Sequence, residues 1–424
     1  MSLSCYSQER LSKKILSSNG VPLDDVNVYA PSRQVGVFTD KDGEFDMTVF
    51  SALQPTDTLR FSCVGYMQRF LTYGQLLQMK DVTLKEDTVS LREVVVTGEQ
   101  EKEIFLPVRA LSSLPQGLFA FGTALVDNRI YVQGGDESFS VAGSTFVDRT
   151  NGNFASKQHF SWKAYSKKLW VYDIQKDCWS PCPQAFSPRA YHTLLLHGQN
   201  LLALGGKRLS TSKKIEWLRP DIDIYDLKRD TLIVDEVNPH MAADAASFVY
   251  GNQLIIMGGS VKEADSGHRT YSADIHVQDL RTGYWYKVGK MPRAMECKGV
   301  IWQQKIYLFG GFDGMARSEI QSFDLKTGEW RHEGELPEPM ERPAVVVVGD
   351  EAYVYEAGKM LVYDFLSGQI RSYAMRQKLK RCELLTDGRL LYLIGGGIPK
   401  SGHLIASSSL YAVDLRVFER TVYE

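Results

Sequence analysis

Four arginines stand just ahead of β-rich stretches in similar local settings: Arg189 in SPRAYH, Arg293 in MPRAME, Arg342 in MERPA and Arg381 in LKRCE. Guanidinium groups at equivalent places of a repeating fold can converge on one mouth, where forked hydrogen bonds suit carboxylates and sugar hydroxyls. The same arginines can instead hold loop carbonyls or carboxylates between repeats, so both roles stand open. His192 follows Arg189 closely, and Glu296 and Glu383 lie near Arg293 and Arg381. A carboxyl group with an arginine beside it is enough for proton transfer to and from a sugar, and these four residues are the catalytic candidates if there is catalysis. Structural ion pairing is the alternative. Aromatic residues Phe139, Phe154, Phe160, Trp162 and Trp217 stand among polar residues in long connecting stretches. Aromatic faces give large contact at low entropic cost, so such stretches have the composition of a recognition surface. The candidate ligand-binding set is therefore Arg189, His192, Arg293, Arg342, Arg381, Trp162 and Trp217.

Other chemistry is not asked for locally. The eight histidines form no HExxH or comparable cluster, so a metal site would have to be assembled in three dimensions. No metal or cofactor is expected. The six cysteines, Cys5, Cys63, Cys178, Cys182, Cys297 and Cys382, do not fall into metal-ligand spacing. Cys178 and Cys182 in CWSPC could bridge in an oxidising compartment or remain thiols at a strand end. With 49 Lys and Arg against 51 Asp and Glu, the net charge of -2 gives no reason to expect a nucleic acid or an anionic membrane as partner. No apolar run approaches the roughly 20 residues that span a bilayer.

The elements that must position these residues are β throughout. From about Leu16 to Thr97 the chain reads as short runs, VNVYA, VGVFT, GEFDMTVF, TLRFSCVGY, VTL and EVVVTG, separated by turn residues. Val26 and Val28 alternate onto one face, and Asp42 with Gly43 suits a tight hairpin in a compact antiparallel sandwich. Beyond it, apolar runs ending in paired glycines recur at Gly134, Gly205, Gly258, Gly310 and Gly395, with Ala357 and Gly358 standing in for a sixth doublet. After each doublet comes a strand, a tight turn and a strand: LWVYDIQKDCW, IDIYDLKRDTL, IHVQDLRTGYW, IQSFDLKTGEW, LVYDFLSGQI and LYAVDLRVFE. With the strand leading into each doublet, every repeat supplies a four-stranded blade. Trp179, Trp285 and Trp330 recur beyond the turns, where packing between blades is expected of them.

The segment Gly20, Pro22, Leu23, Val26, Val28, Tyr29, Thr39, Asp40, Asp42, Gly43 and Phe45 resembles the carboxypeptidase-regulatory-like domain, with DTLRFSCVGY, VTLK and LREVVVTG matching its later strands. In bacterial envelope proteins that domain often precedes TonB-dependent receptors. No plug or membrane strands follow here, so the resemblance implies an extracytoplasmic setting without transport. The doublets, aromatic positions and tryptophans from about Leu118 to Glu424 resemble the kelch family. The resemblance implies a six-bladed ring around a central channel. Bacterial six-bladed kelch proteins include sialic acid mutarotases. Galactose oxidase also uses kelch repeats, but the tyrosine and cysteine crosslink and histidine ligands of that copper enzyme have no clear local match.

The expectation is thus an all-β chain: a transthyretin-like β-sandwich over 6–98, a linker over 99–117 and a six-bladed kelch β-propeller over 118–424. The last unit is expected to hold all four of its strands, ending in VFERTVYE. The segment EKEIFLPVRALSSL is either linker or an extra strand against the ring. The amino terminus, MSLSCYSQER, has neither a basic start nor an apolar core. A removed export signal is expected, with Met1 to Leu3 extraneous and Cys5 a candidate remnant of lipidation. Function is read as periplasmic, cell-surface or secreted binding of a carbohydrate or an envelope protein. A sialic acid mutarotase-like sugar isomerase is the alternative, and a copper oxidase comes last.

Overall fold

The computed structural model describes residues 12–33, 35–63, 66–85, 104–142, 159–184, 186–213, 215–262, 269–400 and 403–420. Cys5, the segment Leu91 to Gly98 and Phe154 fall outside them, as do the side chains of Phe139, Phe160 and Trp162. The chain divides into two compact units, Met1–Glu101 and Lys102–Glu424.

In the first unit two small sheets face each other. One orders Glu44–Asp46, Ser12–Ser17 and Asp81–Leu84; the other orders Val35–Phe38, Asn27–Ala30, Thr58–Ser62 and Arg69–Thr72. Val26 and Val28 are fully buried with Ile15, Phe50, Leu59 and Phe61, so the period-two alternation does place one face in the core. Two features differ from the expectation. Ser12–Ser17 runs parallel to Asp81–Leu84, and the turn at Asp42 and Gly43 links strands of different sheets rather than closing a hairpin. Asp40 makes that turn by accepting the N–H groups of Asp42 and Glu44 at 3.0 and 2.9 Å.

The second unit is a six-bladed propeller. Its innermost strands are Gly122–Val126, Thr193–His197, Ala246–Tyr250, Gly299–Trp302, Ala344–Val348 and Glu383–Thr386. Each lies against the next in cyclic order, and the sixth returns to the first. The glycine doublets tie the ring together. In blades one, two, three and six the second glycine donates its N–H to the segment leading into the next blade, as from Gly206 to Ala242 O, and from Gly396 back to Leu118 O, both at 2.8 Å. At Gly206 φ is +78°, and an added Cβ would come within 2.4 Å of Ala190 O, which is why no side chain fits.

Ring closure departs from the expectation. The outer strand of blade six is Arg109–Ala110, paired antiparallel to Leu410–Asp414, while the chain end forms the helix Arg416–Arg420 where a strand was expected. Residues 104–117 run along the ring rather than serving only as linker. Phe105 bridges to Ala374, Leu106 is buried, and Leu111 and Leu114 donate to Leu410 and Ser408. Closing a ring with a strand from its far sequence end links first and last blades without a covalent seam.

The tryptophans pack between blades. Trp179 donates Nε1–H to Ser112 O at 2.8 Å, beside the closing strand, and Trp330 of blade four donates to Lys290 O of blade three at 3.2 Å. A recurring aspartate shapes the turn between third and fourth strands. Asp173, Asp226, Asp279, Asp324 and Asp364 each accept two backbone N–H groups of that turn. Cys178 and Cys182 are both free thiols, Cys182 lying 3.4 Å from the Tyr225 hydroxyl. No helix among the described residues is long and apolar enough to cross a membrane.

Candidate functional site

Antiparallel blades send the connections after their second and fourth strands to one face. On that face four blades extend into extra hairpins: Phe139–Ala142 with His159–Trp162, Lys207–Leu209 with Glu216–Leu218, Ser260–Lys262 with Arg269–Tyr271, and Gly397–Lys400 with His403–Ala406. The lead-in segments end there too. Two residues ahead of each innermost strand stand Ala120, Tyr191, Asp244, Cys297, Arg342 and Arg381. Ala120, Tyr191, Asp244 and Arg381 adopt left-handed backbone with φ between 52° and 61°.

These positions meet across the axis. Arg381 of blade six donates Nη1–H to both oxygens of Asp244 of blade three, at 3.0 and 2.9 Å. Arg342 of blade five bonds Glu296 and Glu341, and its Nε lies 3.6 Å from Asp244. Lys298 and Glu383 form a further cross-ring pair at 3.0 Å. Burial alone would raise the Asp244 carboxyl, but Arg381 and Arg342 outweigh it and hold the group at about 2. Tyr191 donates its hydroxyl hydrogen to Asp136 at 2.7 Å, while Lys207 and Arg381 approach its ring within 4.9 and 4.8 Å of the centroid. Ion pairs therefore bridge the channel at this level.

Two open depressions lie on the same face. One, of about 280 Å³, is lined by Glu341, Glu356, Lys380, Arg381, His403 and Leu404. Arg381 meets it with a guanidinium whose Nη1 is held by Asp244. Burial pushes the Glu356 carboxyl up, against the N–H groups of Glu341 and Arg342 that it accepts. The other depression, about 350 Å³ between the hairpins of blades one and two, is lined by Tyr165, Arg208, Ser210, Lys213 and Arg219 among others. Beside it Glu216 takes Lys163, Lys207 and the Tyr165 hydroxyl.

The sequence-predicted residues separate into groups. Arg381 reaches the axial depression, and Trp217, 46% exposed, rides the blade-two hairpin. Arg342 is at the equivalent ring position but is buried in its ion pairs. Arg189 is not equivalent. It lies four residues ahead of its strand, is fully buried, and spends its guanidinium on Ala203 O, Asp221 and Asp223. Arg293 lies further from the axis, paired with Asp313 and Glu319. His192 is buried against Gly122 and Gly134, and burial with the Arg189 charge holds its imidazole well below the usual range. Glu296 and Glu383 are ion-paired, but with Arg342 and Lys298 rather than with Arg293 and Arg381. The Trp162 side chain lies outside the described residues.

Tyr191, Lys207, Asp244, Glu356, Lys380 and His403 were not anticipated. Aligning the lead-ins by strand start, FAFGT, AYHTL, ADAAS, ECKGV, ERPAV and KRCEL, would have exposed Tyr191 and Asp244 as ring partners of Arg342 and Arg381.

A closed ring of four-stranded blades with functional groups gathered at one loop face is the plan of a kelch-type propeller. The sequence matches the KLHDC2/KLHL20/DRC7 Kelch-repeats domain over residues 124–358, more than half its length, and the chain belongs to that Kelch-repeat family. Residues 13–96 match a CarboxypepD_reg-like domain. Acyl-CoA-binding domain-containing protein 4 of Arabidopsis thaliana is 21% identical over 205 residues, 46% of this chain and 28% of that protein. The match thus spans little more than a quarter of that relative. The solved structure of YjhT aligns with a TM-score of 0.56 at 14% identity, covering 70% of this chain and 95% of YjhT, a likeness in fold.

Proposed function

We propose that this chain is an extracytoplasmic binding protein whose propeller loop face captures a carbohydrate bearing acidic groups, or an envelope protein that carries one. The observation that carries the reading is the gathering of Arg208, Lys213, Arg219, Lys380 and Arg381 around two open depressions. Asp221 pairs with Arg219 and Glu341 with Lys380, so an acidic ligand shares these two cations with them. Planar guanidinium groups and an exposed Trp217 suit carboxylates and sugar rings. The carboxypeptidase-regulatory-like unit supports the extracytoplasmic setting. A glycan array on the whole chain identifies the ligand class. The variant Arg208→Ser with Trp217→Ala, both on an exposed hairpin, is expected to weaken the best binder at least tenfold with an unchanged melting temperature. Unchanged capture would refute the site.

A second reading, sugar anomer exchange, draws on Glu356, a buried carboxyl of raised pKa facing the same depression as Arg381. It predicts that NMR exchange spectroscopy on a sialic acid shows acceleration that Glu356→Gln abolishes. No acceleration by the intact chain removes it.

A further inference from the structure

A third depression on the loop face, about 580 Å³ and away from the axis, is lined by Met241, His240, Tyr271, Asp274, His276 and Lys290 among others. Here two imidazoles meet edge to face, their planes 81° apart, with Nδ1 of His240 2.9 Å from Nδ1 of His276. The Nε2 of His240 lies 2.8 Å from Gly258 O. A carbonyl only accepts, so Nε2 carries the hydrogen, and in the neutral ring Nδ1 is a lone pair. Between the two Nδ1 atoms there is then room for one proton, supplied by His276, or for one cation.

We propose that His240 and His276 bind a late first-row dication, Ni²⁺ or Cu²⁺, through their Nδ1 atoms. Metal–imidazole bonds of about 2.0–2.1 Å place two ligands at right angles about 2.9 Å apart, and tetrahedral ones roughly 3.4 Å apart. The observed separation fits the right angle of tetragonal sites that Ni²⁺ and Cu²⁺ favour. The Gly258 carbonyl on the far nitrogen of His240 is the outer hydrogen bond typical of metal-binding imidazoles, fixing both tautomer and ring direction. The neighbouring strand Trp285–Lys290 is bulged, with Val288 unpaired between Gly289 and Lys287, so the register shifts between Ile275 and His276. Asp274 bears on both rings as a negative charge and is anchored by Lys287 at 2.7 Å. Among the described residues no three His, Cys, Asp or Glu converge here, so water from the depression completes the coordination. The site does not rest on carbohydrate capture.

The test uses the tag-free whole chain, titrated with Ni²⁺ and with Cu²⁺ by calorimetry, with electron paramagnetic resonance of the Cu²⁺ form. One saturable site with two coordinated nitrogens is expected. His276→Gln, on a half-buried strand position, should weaken it more than tenfold and remove one nitrogen, with the melting temperature retained. His240→Gln reports the second ligand only if its melting temperature also holds. Equal binding by His276→Gln and the parent, or no saturable site, would overturn the proposal and leave the contact a hydrogen bond.

Discussion

Replacing Asp244 with alanine removes the one carboxylate that two ring arginines share. Arg381 loses the two oxygens it bonds, and Arg342, buried in the ring, loses a carboxylate 3.6 Å away. Two routes give the magnitude. A carboxyl moved from the usual 3.8 to about 2 contributes on the order of 2–3 kcal/mol at neutral pH. Truncation of one partner of a buried pair costs about 3–5 kcal/mol, the larger figure including the abandoned charge. The truncation value applies, because the guanidinium groups remain. At roughly 2 °C per kcal/mol for a unit of this size, the melting temperature falls by about 6–10 °C. All seven tryptophans, from Trp162 to Trp330, lie in the propeller unit, so tryptophan fluorescence in urea reports that unit alone. Asp244→Leu with Arg381→Met should be less harmful than Asp244→Ala. Because the folded-state pKa is depressed, this stabilisation is complete above about pH 4 and disappears as pH falls through about 2. A loss below about 1 kcal/mol for Asp244→Ala, or a double variant worse than the single, would refute the cross-ring pair as a structural clamp.

Two more outcomes follow from the ring. Gly206→Ala must accommodate a Cβ 2.4 Å from Ala190 O at φ +78°, so it should cost more than about 2 kcal/mol by urea denaturation, whereas a cost under about 1 kcal/mol would contradict the close approach. A chain begun at Lys102 should keep the propeller's fluorescence transition, while one begun at Ser112 lacks the closing strand Arg109–Ala110 and should unfold at least several degrees lower; equal transitions would refute closure by that strand.

Blade number was legible because the second glycine of each pair stands where backbone crowds a Cβ at positive φ, Gly358 of the Ala357 and Gly358 pair included. Strand pairing followed from the turns around Asp279, Asp324 and Asp364. The closing strand was legible only as one of two readings of EKEIFLPVRALSSL, because Arg109 and Ala110 alone are paired and two residues show no periodicity. Neighbouring letters make the four arginines look alike, and distance from strand start separates them. In a pleated lead-in, an offset of two or four residues decides whether a side chain reaches the axis or the wall between strands, as Arg381 and Arg189 illustrate. Arg381 and Asp244 are 137 residues apart, and only the closed ring brings them together. The His240 and His276 contact is similarly tertiary, made across 36 residues without a local motif.

Hydrogen exchange with the best glycan-array binder tests the central claim that the loop face is the capture surface. The account predicts protection concentrated in peptides covering 207–219 and 378–404, around the two depressions that hold the arginines and lysines. Protection confined to 284–288 and 323–328, toward the opposite rim between blades three and four, would contradict it.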